Sequence, residues 1–268
     1  MDNITIDPEW SKSKEEIWDE LFEPLDERSR STSPDGLLPR NFSQKKRIPL
    51  WRYAASLLIP VLLVCHFYTV TEETPRGEHA EIRLPDNSMV AMNAESKVSY
   101  KPFEWFLFRK AGRRVRLEGE ACFDVKPGSR FSVQSDRNKV HVLGTTFNVY
   151  ARAGVYCVTC IEGKVEVQTE GETVVLHANM QATLQKPKLH INSNIDSQAV
   201  TGWIQGKFTF VGTPLREVVN EIERQYNIKV TPDNFVNQVF TGYFSRKDKP
   251  EVVLEIIGEP FGITFHIE

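Results

Sequence analysis

Arg113–Val125 reads RRVRLEGEACFDV. Val115, Leu117, Ala121, Phe123 and Val125 fall on alternate positions, and that two-residue period is the pattern of a strand with one face on a core. Glu118, Glu120 and Asp124 occupy the positions between them and are expected to face solvent. The same period continues on both sides. AEIRLPDNSMVAMNAESKVSY (80–100) alternates around a turn at Pro85-Asp86-Asn87, and RFSVQS, KVHVLGTTFNVYA, YCVTCIEGKVEVQ, ETVVLHA and MQATLQK follow as short strands. Gly112, Gly119, Pro127-Gly128, Gly144, Gly154, Gly163 and Gly171 separate them. Short strands with glycine turns predict an all-β domain over residues 80–190, built as a sandwich, barrel or solenoid. Within it, Phe103, Trp105, Phe106 and Phe108 of KPFEWFLFRK are expected on a partly buried strand, with an aromatic platform as the other reading.

Downstream, residues 191–202 read as a linker and 203–268 as a small α+β module. WIQGKFTF (203–210) is a predicted strand; Thr213-Pro214 opens a helix whose buried face is Leu215, Val218, Val219 and Ile222. IKVTP and FTGYFSR are two further strands, Pro250 starts a second helix closed by Gly258, and GITFHIE ends the chain. The order is β-α-β-β-α-β, with both helices expected on one face of a small sheet.

Upstream the pattern changes character. Tyr53–Thr71, YAASLLIPVLLVCHFYTVT, runs about nineteen residues without a formal charge, close to what a helix needs to cross ~30 Å of hydrocarbon. Residues 48–71 are therefore expected to be a single transmembrane helix, followed by a linker at 72–79. Lys45, Lys46, Arg47 and Arg52 stand before the run and Glu72 and Glu73 after it, which orients the N-terminus to the cytoplasm and exports the rest. In residues 1–47, Ser13 and Glu16 form a capping box, and Ile17, Trp18, Leu21, Phe22 and Leu25 recur on one face of a short helix. The Ser-, Pro- and Arg-rich stretch after it reads as a tether.

With 268 residues and a net charge of −3, the whole chain implies no nucleic-acid partner. No nucleophile elbow or histidine cluster appears, so the chain is not expected to be an enzyme or to hold a metal or cofactor. Cys157 and Cys160 lie three apart on a strand and should point to opposite faces as packed thiols.

The run LPDNSMVAMNAESKVSY, then RRVRLEGEACFDV, RFSVQS, VHVLGTTFNVYA and IEGKVEV, resembles the periplasmic core of FecR-family anti-sigma factors. Asn87 stands where the family usually has glycine, Met92 for leucine and Cys122 for an aromatic. FTFVGTPLREVVNEIERQYNIKV is similar to the family's C-terminal module, which resembles the short secretin-and-TonB N-terminal fold. The resemblance implies an inner-membrane, single-pass regulator. Its cytoplasmic segment, with Ile17, Trp18, Leu21, Phe22 and Leu25 as contacts, would hold an extracytoplasmic-function sigma factor. Its exported module would meet the signalling domain of a TonB-dependent receptor, so that nutrient-uptake genes are controlled from outside. Some members resemble proteins that cleave themselves at a Gly-Thr bond, here Gly144-Thr145; the residues by themselves suit a tight bend with Thr145 packed. The alternative from another class is a membrane-anchored periplasmic binding module for a glycan or envelope component.

Overall fold

The computed structural model describes residue 16 and residues 60, 62–107, 112–185, 188–233 and 238–268. Residues 62–67 are helical, and no helix among the described residues is long and apolar enough to cross a membrane. Residues 53–59 and 61 of the expected span lie outside them. The helix stops short of the expected end, because Val70–Thr74 is strand β1, paired along its whole length with Ser96–Tyr100. The stretch expected as a linker at 72–79 thus enters the sheet almost at once.

The remaining β strands are β2 (Ala80–Arg83), β3 (Met89–Met92), β4 (Ser96–Tyr100), β5 (Arg113–Asp124), β6 (Phe131–Ser135), β7 (Asn138–Val142), β8 (Thr146–Arg152), β9 (Val155–Glu162), β10 (Lys164–Gln168), β11 (Thr173–His177), β12 (Met180–Gln185) and β13 (Lys188–Ser193). Together they make one continuous, nearly closed sheet folded over on itself. β5 is its spine. Residues 113–118 pair with β4 on one side and, in parallel, with β6 on the other; residues 119–124 pair with β3 and β8. The first half therefore belongs to a sheet of order β1-β4-β5-β6-β7-β10-β11, and the second half to a sheet of order β2-β3-β5-β8-β9-β12-β13.

The switch between sheets happens at Gly119, whose φ is +102° and whose added Cβ would sit 2.7 Å from Ser96 Cα. No other residue fits so close a backbone approach. Phe123, Phe131 and Phe147, all fully buried, fill the space between the two layers with Leu117, Val90 and Met92. Asn87 adopts φ +65° in the turn before β3, the left-handed backbone for which asparagine replaces glycine at little cost. The expected strand in KPFEWFLFRK is instead a helix, α1 (Pro102–Leu107). Proline suits a first turn, and the helical twist turns Trp105 inward onto Tyr100 and Phe131 while Phe103 and Phe106 stay exposed.

After β13 the segment expected as a linker carries α2 (Ser197–Thr201), capped by Asp196, and Trp203 lies in a 3-10 turn (Gly202–Gln205) rather than on a strand. The module continues as β14 (Lys207–Pro214), α3 (Leu215–Tyr226), β15 (Val230–Pro232), β16 (Val239–Ser245), α4 (Pro250–Gly258), a 3-10 turn (Glu259–Phe261) and β17 (Phe265–Ile267). The β-α-β-β-α-β order is as read from the sequence. The strands, however, pair as two separate ladders, β14–β16 and β15–β17. Pro214 occupies the cap position of α3 without a side-chain cap bond. Gly258 is the last residue of α4, and an added Cβ there would strike the Ile263 carbonyl.

Candidate functional site: a polar joint on the second sheet

Alternation along β5 sends Val115, Leu117, Ala121 and Phe123 into the core and turns Glu120 and Cys122 to the outer face of the second sheet. That face is not solvent. The C-terminal module covers it, so Glu120 is 7% and Cys122 8% exposed, and the expectation of a solvent-facing Glu120 is corrected. The strand period fixed which face the residue takes; the cover arrives from a module about a hundred residues later in the chain.

Under that cover the contacts are polar. Asn93 Nδ2 donates to Glu120 Oε2 at 2.7 Å and Asn148 Nδ2 to Oε1 at 2.9 Å. From α3, Gln225 Nε2 donates to Asn93 Oδ1 and to Glu221 Oε1, both at 2.7 Å, and its carbonyl meets His79 Nε2 at 2.9 Å. Arg224 holds Glu221 at 2.5 Å and reaches Glu95 at 3.1 Å. Arg152 donates to the carbonyls of Ala94 and Glu95 at 2.6 and 2.9 Å, fixing the turn that carries the Glu95 partner. Thr74 at the end of β1 is tied into the same turn, donating to the Asn93 carbonyl at 2.6 Å and accepting from the Ser96 amide at 3.2 Å. One connected network therefore links β1, the β3–β4 turn, β5, β8 and α3.

Its electrostatics follow from removing water. Burial, and then the nearby Glu221 carboxylate, push Glu120 up from 4.5 to about 7, against the two asparagine amides and Arg152. Burial also lowers His79 below its ordinary 6.5 and raises the Cys122 thiol to about 12. An apolar patch completes the joint: Cys122 and Trp203 belong to one buried cluster, against which Ala91 and Ile161 pack. Two buried carboxylates, two buried arginines and three amides give an interface whose closure depends on charge.

Gly144, Thr145, Cys157 and Cys160, which the sequence singles out, are not part of the joint. Thr145 is buried and its hydroxyl donates to the Lys164 carbonyl at 2.9 Å, while its backbone pairs with Val125 in both directions. Gly144 faces Pro127, whose Cα an added Cβ would meet at 2.8 Å. Both residues lie at the bend between β7 and β8. Cys157 and Cys160 take opposite faces of β9 as free thiols, both raised to about 11 by burial. Ile17, Trp18, Leu21, Phe22 and Leu25 lie outside the described residues.

Sequence comparison places the FecR protein family on residues 70–166 and the FecR C-terminal family on residues 207–268. Among solved structures, a candidate anti-sigma factor from Parabacteroides distasonis is 32% identical, over 75% of this chain and 95% of its own, with a TM-score of 0.68. A second candidate anti-sigma factor from the same organism gives 30% identity, 74% and 98% coverage and a TM-score of 0.66. Curated proteins give no match. Two family segments in sequence order, joined by the joint described above and matched across nearly the full length of the solved relatives, establish that this chain belongs to the FecR family of anti-sigma factors.

Proposed function

We propose that the chain is a single-pass anti-sigma regulator of the inner membrane that relays a periplasmic contact to an extracytoplasmic-function sigma factor. The observation that carries this reading is the joint. A regulator must exchange between two arrangements under a modest bias, and a module held by charges and amides can leave its seat without exposing a large apolar core. Glu95, Arg224 and Gln225 supply that seat. In the relay, the signalling domain of a loaded TonB-dependent receptor engages the C-terminal module, and β1, bonded to the joint through Thr74, passes the change toward the apolar segment at 53–71. The cytoplasmic residues 1–47 then hold or release the sigma factor through Trp18 and Phe22.

The test is co-purification. The full chain, solubilised from the membranes of its own cell, should bring down an extracytoplasmic-function sigma factor, and Trp18→Ala with Phe22→Ala should lose it at unchanged chain abundance. Wild-type chain without a sigma factor, in cells that contain one, would defeat the relay. The reading as a glycan-binding module gains nothing from the aromatic cluster, since Trp105 is turned into the core rather than offered as a platform.

A further inference from the structure

The two outer faces of the folded sheet differ. The second carries the C-terminal module; the first carries cations. On β5, Arg114 and Arg116 are exposed between buried Val115 and Leu117. Pairing sets Arg114 beside Ser132 and Arg116 beside Gln134 on β6, which in turn face His141 and Lys139 on β7. These side chains and Arg130 line one hollow of about 740 Å³ that extends to Lys101, Glu104 and Thr69.

The acids in this hollow are already engaged. Glu104 lies 3.4 Å from Lys101 and 3.7 Å from His66, and Glu166 at its margin pairs with Arg130 at 2.9 Å. Among the described residues no ion pair engages Arg114, Arg116 or Lys139. The field is positive enough to be felt by His141, which burial first and then Arg130 hold below its ordinary value.

At the rim stands α1. Phe103 and Phe106 are 40% and 67% exposed, and the Phe103 ring touches Tyr68 at 5.7 Å between centroids. Tyr68 follows the helical residues 62–67, and a single residue, Thr69, separates it from β1. Cations, exposed aromatics and the exit of an apolar segment thus meet on one face.

We propose that this face docks on an anionic phospholipid bilayer: Phe103 and Phe106 enter the headgroup boundary, and Arg114, Arg116 and Lys139 bind lipid phosphates. The proposal rests on the reading of the apolar segment as a membrane span, because the helix at 62–67 leads through Tyr68 and Thr69 into β1 and so sets this surface beside the bilayer. Charge complementarity and chain continuity select the bilayer over a soluble anion. The C-terminal module, on the opposite layer, is then presented away from the membrane.

The test uses the full chain in nanodiscs containing lipid brominated near the headgroup, with and without phosphatidylglycerol. The emission that Phe106→Trp adds over the wild-type chain should fall at least about twofold on bromination, while that added by Tyr243→Trp, far out on the module, should not change. Arg114→Glu with Arg116→Glu and Lys139→Glu should bring the Phe106→Trp signal to the Tyr243→Trp level in phosphatidylglycerol. Unquenched Phe106→Trp in a chain that resists alkaline extraction would overturn the docking surface and leave the span intact. A chain extracted by alkali would overturn both. Retention on heparin without lipid quenching would replace the bilayer by a soluble polyanion.

Discussion

Glu120 decides how the joint answers to pH. Burial and Glu221 raise its carboxyl from 4.5 to about 7, so the folded chain keeps a proton there after the unfolded chain has lost it. A carboxyl raised in this sense gives its greatest stability below the unfolded value and loses it as pH climbs through ~4.5–7. His79 acts oppositely: lowered beneath 6.5 by burial, it costs stability in acid, and that cost fades as pH rises through 6.5. His141, also lowered by burial, acts in the same sense, so the Glu120 contribution is read against Glu120→Gln, which shares both imidazoles. From pH 6.5 to about 8, thermal unfolding of the solubilised chain should show the wild-type Tm dropping by a few degrees relative to that variant, on the order of 1 kcal/mol. Glu120→Gln should remove that slope, because the amide carries no charge, and Asn148 Oδ1, buried without a partner, can accept its extra hydrogen once the Asn148 side chain turns over. A variant that keeps the wild-type slope would assign the pH dependence to another group.

At the scale of the element, β5 is the part on which the fold turns, and two glycines separate its two requirements. Gly119 and Gly154 both have positive φ, +102° and +81°, but an added Cβ at Gly119 meets Ser96 Cα at 2.7 Å whereas at Gly154 it meets nothing within 4 Å. Gly154→Ala should cost about 1 kcal/mol of backbone strain, and Gly119→Ala at least ~3 kcal/mol, since Ser96 backbone cannot retreat from the β4 ladder. Urea midpoints of the two variants measure the difference, and equal losses would mean that β5 crosses between sheets with room to spare. The strands themselves were legible, because inward residues such as Val115, Phe123 and Val149 recur every second position. What covers each face was not. The burial of Glu120 and Cys122 depends on α3 and Trp203, contacts without any local period, and so a residue that reads as solvent-facing becomes the centre of the joint. α1 was misread as a strand for a related reason: Trp105 is pulled inward by Phe131, a long-range partner, while Pro102 gives the only local sign of a helix. The residues expected to contact a sigma factor lie outside the described residues.

At the scale of the molecule, three layers stack in order: the basic outer sheet face, the core between the sheets, and the C-terminal module on the second face. Cys122 reports whether the last layer is seated. In the intact chain its thiol, buried and raised to about 12, should alkylate slowly. Arg224→Glu with Gln225→Ala removes the contacts to Glu95, Asn93 and Glu221; a loss of about 1.4 kcal/mol in seating is a tenfold rise in opening, read as a tenfold faster Cys122 modification by peptide mass spectrometry. Cys160, between the sheets, should stay as slow as before. Unchanged Cys122 reactivity would mean that Trp203 holds the module without the polar contacts. The direct entry of the apolar segment into β1 carries a mechanical meaning as well. β1 is hydrogen-bonded to β4 over all five of its residues and is pinned at its far end by Thr74. A pull along the strand from the Val70 end loads those bonds side by side, in shear, rather than unzipping them singly. The chain is thus clamped where it leaves the apolar run, and tension arriving there has no slack to take up before it reaches Asn93.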